Sequence, residues 1–220
     1  MDAIDKLTEI FKEFPGIGER QARRFVYFLM TRNGEHNNNF AKLIIELKKE
    51  IAQCKECFRF FHFLKNGQND ICELCSYENT DTNILMIVEK DSDLESVRKS
   101  RAYTGKYFIL GGLVPIVEKN TKSKIRIQEL KNRIQKMSNL AKLATTESTK
   151  NKNKEMLEII MAFSLSPQGD HTDFYVRNEI KHICEQNNIK ISSLGRGLST
   201  GTELEYSDND TLKNALKNRQ

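Results

Sequence analysis

Four cysteines in two pairs carry the strongest chemical signal in this chain: Cys54-Lys55-Glu56-Cys57 and, after fourteen intervening residues, Cys72-Glu73-Leu74-Cys75. Two Cys-x-x-Cys knuckles facing each other bring four thiolates within tetrahedral reach of one Zn²⁺, which takes sulfur at ~2.3 Å and favours all-sulfur shells where its work is structural. A lone pair would leave a thioredoxin-like redox dithiol in play, and two disulfides are the bland alternative; the doubled spacing favours metal. Four sulfurs close the coordination shell, so such an ion braces a fold and activates no water. Phe58, Phe60, Phe61 and Phe63 lie between the pairs and are expected to shield the site, with His62 as a minor alternative ligand.

A second constellation lies near the N-terminus. Ile4, Leu7, Ile10 and Phe11 mark a short amphipathic helix that must stop before Pro15. Ala22, Phe25, Val26, Leu29 and Met30 mark the next one. Phe14-Pro15-Gly16-Ile17-Gly18 joins them, which predicts helix, tight turn, helix. Without Cβ atoms, Gly16 and Gly18 would let backbone N–H groups at the second helix start approach a phosphate, with Arg20, Arg23 and Arg24 close by to neutralise it. Spacing alone leaves a second reading open: an ordinary helical corner with solvated arginines.

The remaining elements supply the frame. Residues 31–39 read as an Asn- and Gly-rich loop, and Phe40, Leu43, Ile44, Leu47 and Ile51 mark a third helix. Beyond Cys75 come the apolar run Ile84–Val88 ending in Glu89, a helix capped by Asp91 or Ser92, and a strand from Tyr107 to Leu110 closed by Gly111-Gly112. A helix with Ile127, Leu130, Ile134 and Met137, a strand from Met156 to Phe163, a helix with Val176, Ile180, Ile183 and Cys184, and a strand from Ile189 to Ile191 follow. Strands alternating with helices predict an α/β layer around a largely parallel sheet. A last helix is expected after Asp208.

At 220 residues the chain holds one large domain or two small ones. The start shows no signal-peptide pattern and no apolar run reaches ~20 residues, so a cytoplasmic protein without membrane contact is expected. Cys184 reads as a small buried side chain. The net charge of +5 is unevenly placed: residues 119–154 carry eleven Lys or Arg against two Glu. Most of residues 137–154 is Lys, Asn, Thr and Ser, which predicts an exposed insertion.

Taken in order, the Pro-Gly-Ile-Gly hairpin, the four cysteines, Val88-Glu89, Gly105-x-Tyr107-x-x-Leu110-Gly111-Gly112 and the tail Arg196-Gly197-Leu198…Leu204-Glu205-Tyr206-x-Asp208…Thr211-Leu212 resemble the RecR family of bacterial recombination mediators. The resemblance spans nearly the whole chain. It implies a helix-hairpin-helix region at 1–52, a C4 zinc finger at 53–78, a Toprim domain at 80–192 and a C-terminal segment at 193–220 that contacts another subunit. It also implies a ring-forming protein, a tetramer, that binds single- and double-stranded DNA without sequence preference. Such a protein works with RecO and RecF to load RecA during repair of damaged DNA. Residue by residue, Arg20 and Arg24 match the basic hairpin positions, Cys54, Cys57, Cys72 and Cys75 the zinc ligands, and Glu89 the Toprim glutamate. The zinc loop is longer here than is usual in the family, and Gln168-Gly169 stands where Glu-Gly is common.

Toprim enzymes hold Mg²⁺ with the first-strand glutamate and a later Asp-x-Asp. Here Glu89 is present, but the later strand is followed by Asp170 and Asp173, three apart. That pattern predicts a non-enzymatic DNA-binding mediator with at most a weak Mg²⁺ site at Glu89. A divergent Mg²⁺-dependent Toprim nuclease and a zinc-stabilised interaction module are the alternatives.

Overall fold

Parallel pairing of four short apolar strands organises the larger part of this computed structural model, which describes residues 1–63, 70–117, 125–147, 157–195, 197–198, 201 and 203–217. The chain divides into two compact units, one of Met1–Ala52 with His62–Gly67 and one of Gln53–Phe61 with Gln68–Gln220.

In the first unit α1 (Ala3–Lys12), α2 (Glu19–Met30) and α3 (Gly34–Glu50) follow one another. Asp2 caps α1 by accepting from the Asp5 N–H at 2.8 Å, and α1 ends three residues before Pro15, as expected. Ala22 and Val26 of α2 are fully buried and Phe11 meets Phe25 edge-on at 5.6 Å, so the two helices close on each other through these residues. Met30, placed in the apolar stripe by its spacing, is instead exposed.

The expected loop at 31–39 is shorter than its composition suggests. Asn33 accepts from the His36 N–H at 2.9 Å, and α3 begins at Gly34. The asparagines that read as loop formers sit in the first turns of this helix, where Asn37 donates to the Leu29 carbonyl at 3.0 Å. Ile51 is not in α3; it opens the three-residue strand β1 (Ile51–Gln53), which pairs with β2 (Phe60–His62).

The second unit contains the short helix α4 (Glu73–Ser76) and a sheet of β3 (Asp81–Val88), β4 (Gly105–Ile109), β5 (Glu158–Ala162) and β6 (Lys190–Ser193) in the order β4-β3-β5-β6, every neighbouring pair parallel. Val88 lies opposite Ile109 on one side and Ala162 on the other. Strand side chains alternate between faces, so an unbroken apolar run feeds two cores. Leu85, Ile87 and Phe108 pack with Leu130 and Ile134 of α6 (Ile127–Glu147) and Val176 and Ile180 of α7 (Pro167–Asn187). Met86, Val88, Tyr107 and Ile109 pack on the opposite face with Leu94 of α5 (Asp91–Ser100). The cap of α5 lies one residue earlier than expected: the Lys90 N–H donates to the Asp93 carboxylate at 3.2 Å, and Asp91 accepts from the Phe60 N–H.

Gly105 is required by a close approach. A Cβ there would lie 2.4 Å from the Tyr103 hydroxyl oxygen and 2.7 Å from the Ile84 carbonyl oxygen. The exposed insertion expected from Met137 starts later, because α6 continues to Glu147 with Met137 and Ser138 buried; residues 148–156 lie outside the described residues. Cys184 is buried as expected, and burial pushes its thiol up to about 11. After Leu204–Tyr206, a single 3-10 turn, α8 (Asn209–Lys217) starts where Asp208 accepts from the Thr211 N–H. Arg196 of the tail lies outside the described residues.

Candidate metal centre and nucleic-acid interface

Each cysteine pair turns back on itself tightly enough to aim both sulfurs inward. The Phe58 N–H donates to the Cys54 carbonyl at 3.0 Å with Phe58 at φ +63°, and the Cys75 N–H donates to the Cys72 carbonyl at 3.0 Å. The four Sγ atoms lie within 4.8 Å of one another; Cys54, Cys57 and Cys72 are buried and Cys75 half-buried. Cys57 and Cys72 sulfurs are 3.5 Å apart, close to the ~3.8 Å edge of a tetrahedron with 2.3 Å arms. A backbone N–H, that of Cys72, donates to the Cys54 sulfur at 3.3 Å, which stabilises a thiolate. These residues can hold a metal ion.

Electrostatics give the same answer. Hydrogen bonding from Cys57 and Cys72 pulls the Cys54 thiol down, while hydrogen bonding with Cys54 pushes Cys57 and Cys75 up. Four sulfurs in one buried pocket cannot all ionise against each other. A cation that replaces the protons removes the conflict.

Charged side chains fasten this centre to the sheet and its helices. Glu56, between the first two cysteines, pairs with Arg133 and Lys136 of α6. Burial pulls the Arg133 guanidinium down, and the Cys54 sulfur acts in the opposite direction. Arg59 is nearly buried and reaches Glu73 at 2.6 Å and Glu95 of α5 at 3.2 Å. Burial opposes its charge, but the two carboxylates outweigh that and hold it above its ordinary value. Lys106 of β4, 8 % exposed, donates to the carbonyls of Cys75 (3.1 Å), Tyr77 (3.3 Å) and Leu74 (3.4 Å). Spacing along the chain gave no sign of these four cations, whose partners lie up to 80 residues away. The aromatics between the cysteine pairs divide: Phe61 packs on the cysteines, Phe58 meets Phe108 at 5.3 Å, and Phe60 is exposed. His62 faces Glu50 at 3.7 Å and is not part of the sulfur cluster.

In the first unit the glycine elbow is as expected. Gly16 has φ +76°, a conformation that suits glycine, and Gly18 caps α2 with no side chain of its own. Nothing lies within 4 Å of where a Cβ would stand on either, so both backbones are open to a ligand. Arg20, Arg23 and Arg24 are all exposed. Arg23 pairs loosely with Glu19 (3.5 Å) and Asp5 (3.9 Å), Arg24 reaches Gln21 (3.4 Å), and Arg20 has no ion pair among the described residues.

Glu89 stands at the carboxyl end of β3, between β4 and β5, where open α/β sheets collect ligands. Its carboxylate is half-buried and 3.8 Å from the Lys90 ammonium. Asp173 is engaged with Arg177, and Asp91 and Asp93 serve the backbone. Among the described residues the four cysteines are the one cluster of three or more His, Cys, Asp or Glu side chains placed to hold a metal ion.

Comparison with known proteins adds the family. Residues 84–194 match the Toprim domain model and residues 197–220 the model described as "RecR, C-terminal". The "Recombination protein RecR" of Lactobacillus acidophilus is 30 % identical over 216 residues, covering 98 % of this chain and 96 % of that protein. This chain belongs to the RecR family. RecR proteins of Amoebophilus asiaticus and Staphylococcus aureus strain Newman are each 29 % identical over 218 residues, covering 99 % of this chain and 94 % and 96 % of theirs. RecR membership makes recombination the process this protein serves, and it favours the mediator reading over the divergent nuclease. No helix among the described residues is long and apolar enough to cross a membrane.

Proposed function

We propose that this protein is a non-enzymatic, DNA-binding mediator that assembles into a tetrameric ring, acts with RecO and RecF, and helps load RecA onto single-stranded DNA at damaged sites in the cytoplasm. The observation that carries it is the open glycine elbow of Gly16 and Gly18 followed by three exposed arginines, in a chain that aligns with RecR along its whole length. Backbone N–H groups at the α2 start and the Arg20, Arg23 and Arg24 side chains meet phosphates, which gives affinity without sequence reading. Residues 1–52 act as the grip, 53–78 as a brace, 80–192 as the Toprim body and 193–220 as a subunit contact.

The ion in this reading is Zn²⁺, held by Cys54, Cys57, Cys72 and Cys75 in a closed shell that contributes folding energy and no chemistry. Self-association is supported by α3, which buries no residue in the single chain while Phe40, Leu43, Ile44, Ile45 and Leu47 stay exposed. An apolar surface of that kind calls for a cover. Anisotropy with a labelled duplex and a labelled single strand tests the grip. Arg20→Glu with Arg24→Glu should weaken both at least tenfold at moderate salt and flatten the salt dependence. Wild-type affinity in that variant would remove the reading, and light scattering that showed only monomers at micromolar concentration would remove the ring.

A further inference from the structure

The exposed face of α2 carries more than arginines. At 100° per residue, Arg20, Arg23, Arg24, Tyr27 and Phe28 fall on one side of the helix, opposite the buried Ala22 and Val26. Tyr27 is 50 % and Phe28 47 % exposed, large for aromatic rings on a helix that has an apolar face already packed. Arg32, just past the helix, folds back so that its guanidinium carbon lies 4.2 Å from the Phe28 ring centroid. His36 meets the same ring edge-on, 6.5 Å between centroids. Arg20 and Arg32, at the two ends of this face, have no ion pair among the described residues, so both cations are available to an anion.

We infer that this face is a stacking platform for the bases of a single strand, continuous with the phosphate grip at the glycine elbow. The inference rests on the DNA-binding reading above and extends it from backbone to bases. Proteins that hold single strands without sequence preference combine a cationic track with aromatic rings on which bases stack, and guanidinium planes serve the same purpose. Duplex DNA hides its base faces and gains nothing from Tyr27 or Phe28. From Arg20 to Phe28 the helix advances about 12 Å, enough to set a phosphate contact at one end beside a stacked base at the other. Arg32 over Phe28 keeps a flat cation and a flat ring together before any ligand arrives, which limits the ordering cost on binding. Exposed aromatics scattered singly need no explanation; two adjacent ones bracketed by arginines on the phosphate-binding helix do.

The test uses the full chain with its metal and two labelled probes of equal length and charge, an oligothymidine and an abasic oligonucleotide. Wild type should hold the thymidine probe at least about fivefold more tightly, because stacking is sequence-tolerant but needs a base. Tyr27→Ala with Phe28→Ala should bring the two probes level while the slope of log affinity against log salt stays as in wild type. Phe28→Trp should keep or strengthen the preference. Arg20→Glu with Arg24→Glu should weaken both probes together and leave their ratio. A double-alanine variant that keeps the wild-type preference, or a wild type that binds both probes alike, would overturn the platform and leave the phosphate grip standing. Failure to bind either probe would remove both readings. A fall in molar mass for the double-alanine variant would make these rings a subunit contact, which also overturns the proposal.

Discussion

Lys106 is the most exacting place to challenge this account of the metal centre. Its ammonium is almost fully buried and is satisfied by three backbone carbonyls around the second cysteine pair, with Cys75 the nearest at 3.1 Å. Lys106→Met keeps most of the side-chain volume but removes the charge and every donor. A hydrogen bond from a charged group is worth about 1.5–3 kcal/mol, and the lost bonds are offset by the desolvation the ammonium no longer suffers, so the net cost should be about 2–3 kcal/mol. For a domain of this size that is a fall of roughly 4–12 °C in Tm. The carbonyl of Cys75 would also lose its anchor, and disturbing such outer contacts commonly lowers metal affinity by about tenfold or more. Two assays separate the effects: thermal melting of the metal-loaded protein, and the rate at which a chromogenic chelator removes the ion. Faster release with a lower Tm is expected. If Lys106→Met melted and released its ion as wild type does, the lysine would be filling space, and the idea that β4 fastens the second knuckle would be wrong.

Stripping the ion from the whole protein should lower Tm and raise amide exchange at Gln53–Phe61 and Cys72–Tyr77, with α7 less affected; unchanged melting after verified removal would contradict a structural site. Tyr103 supplies an alkaline test. Burial first, then the neighbouring Tyr107, raises its phenol, whose proton is shared with the carbonyls of Lys106 (2.7 Å) and Ile84 (3.1 Å). A raised folded pKa means stability fully present below the unfolded value of about 10 and lost as pH rises through the folded value. Urea melts of Tyr103→Phe should therefore show a loss of about 1 kcal/mol at neutral pH and a shallower decline above pH 10; parallel wild-type and mutant pH curves would refute it.

What could be seen in the sequence depended on whether the signal was local. The cysteine pairs, the glycine elbow and Ile84–Val88 announce themselves because a metal shell, a positive φ and burial on both sheet faces each constrain adjacent residues. Composition misled at two places. Asn-rich residues 34–39 entered a helix once Asn33 capped it, and α6 continued past Met137, where Met137 and Ser138 are buried and Ala141 packs on the core. The contacts that fix the metal centre were invisible, since Glu56, Arg59 and Lys106 find partners brought close only by tertiary packing. The stripe of α3 was legible as periodicity but not as exposure, because spacing shows which residues share a helix face and not whether anything covers that face.

The fasteners of the cysteine module have a consequence for synthesis. Cys75 leaves the ribosome 31 residues ahead of Lys106, and Glu56 precedes Lys136 by 80. At about 5–20 residues per second, several seconds separate completion of the sulfur quartet from arrival of its last restraint. During that interval the nascent knuckles can take up an ion, or trade a wrong one, with little tertiary structure to oppose exchange. An ion taken up by the four cysteines at that stage would be held first by sulfur alone and only later by the contacts from Lys106 and Lys136.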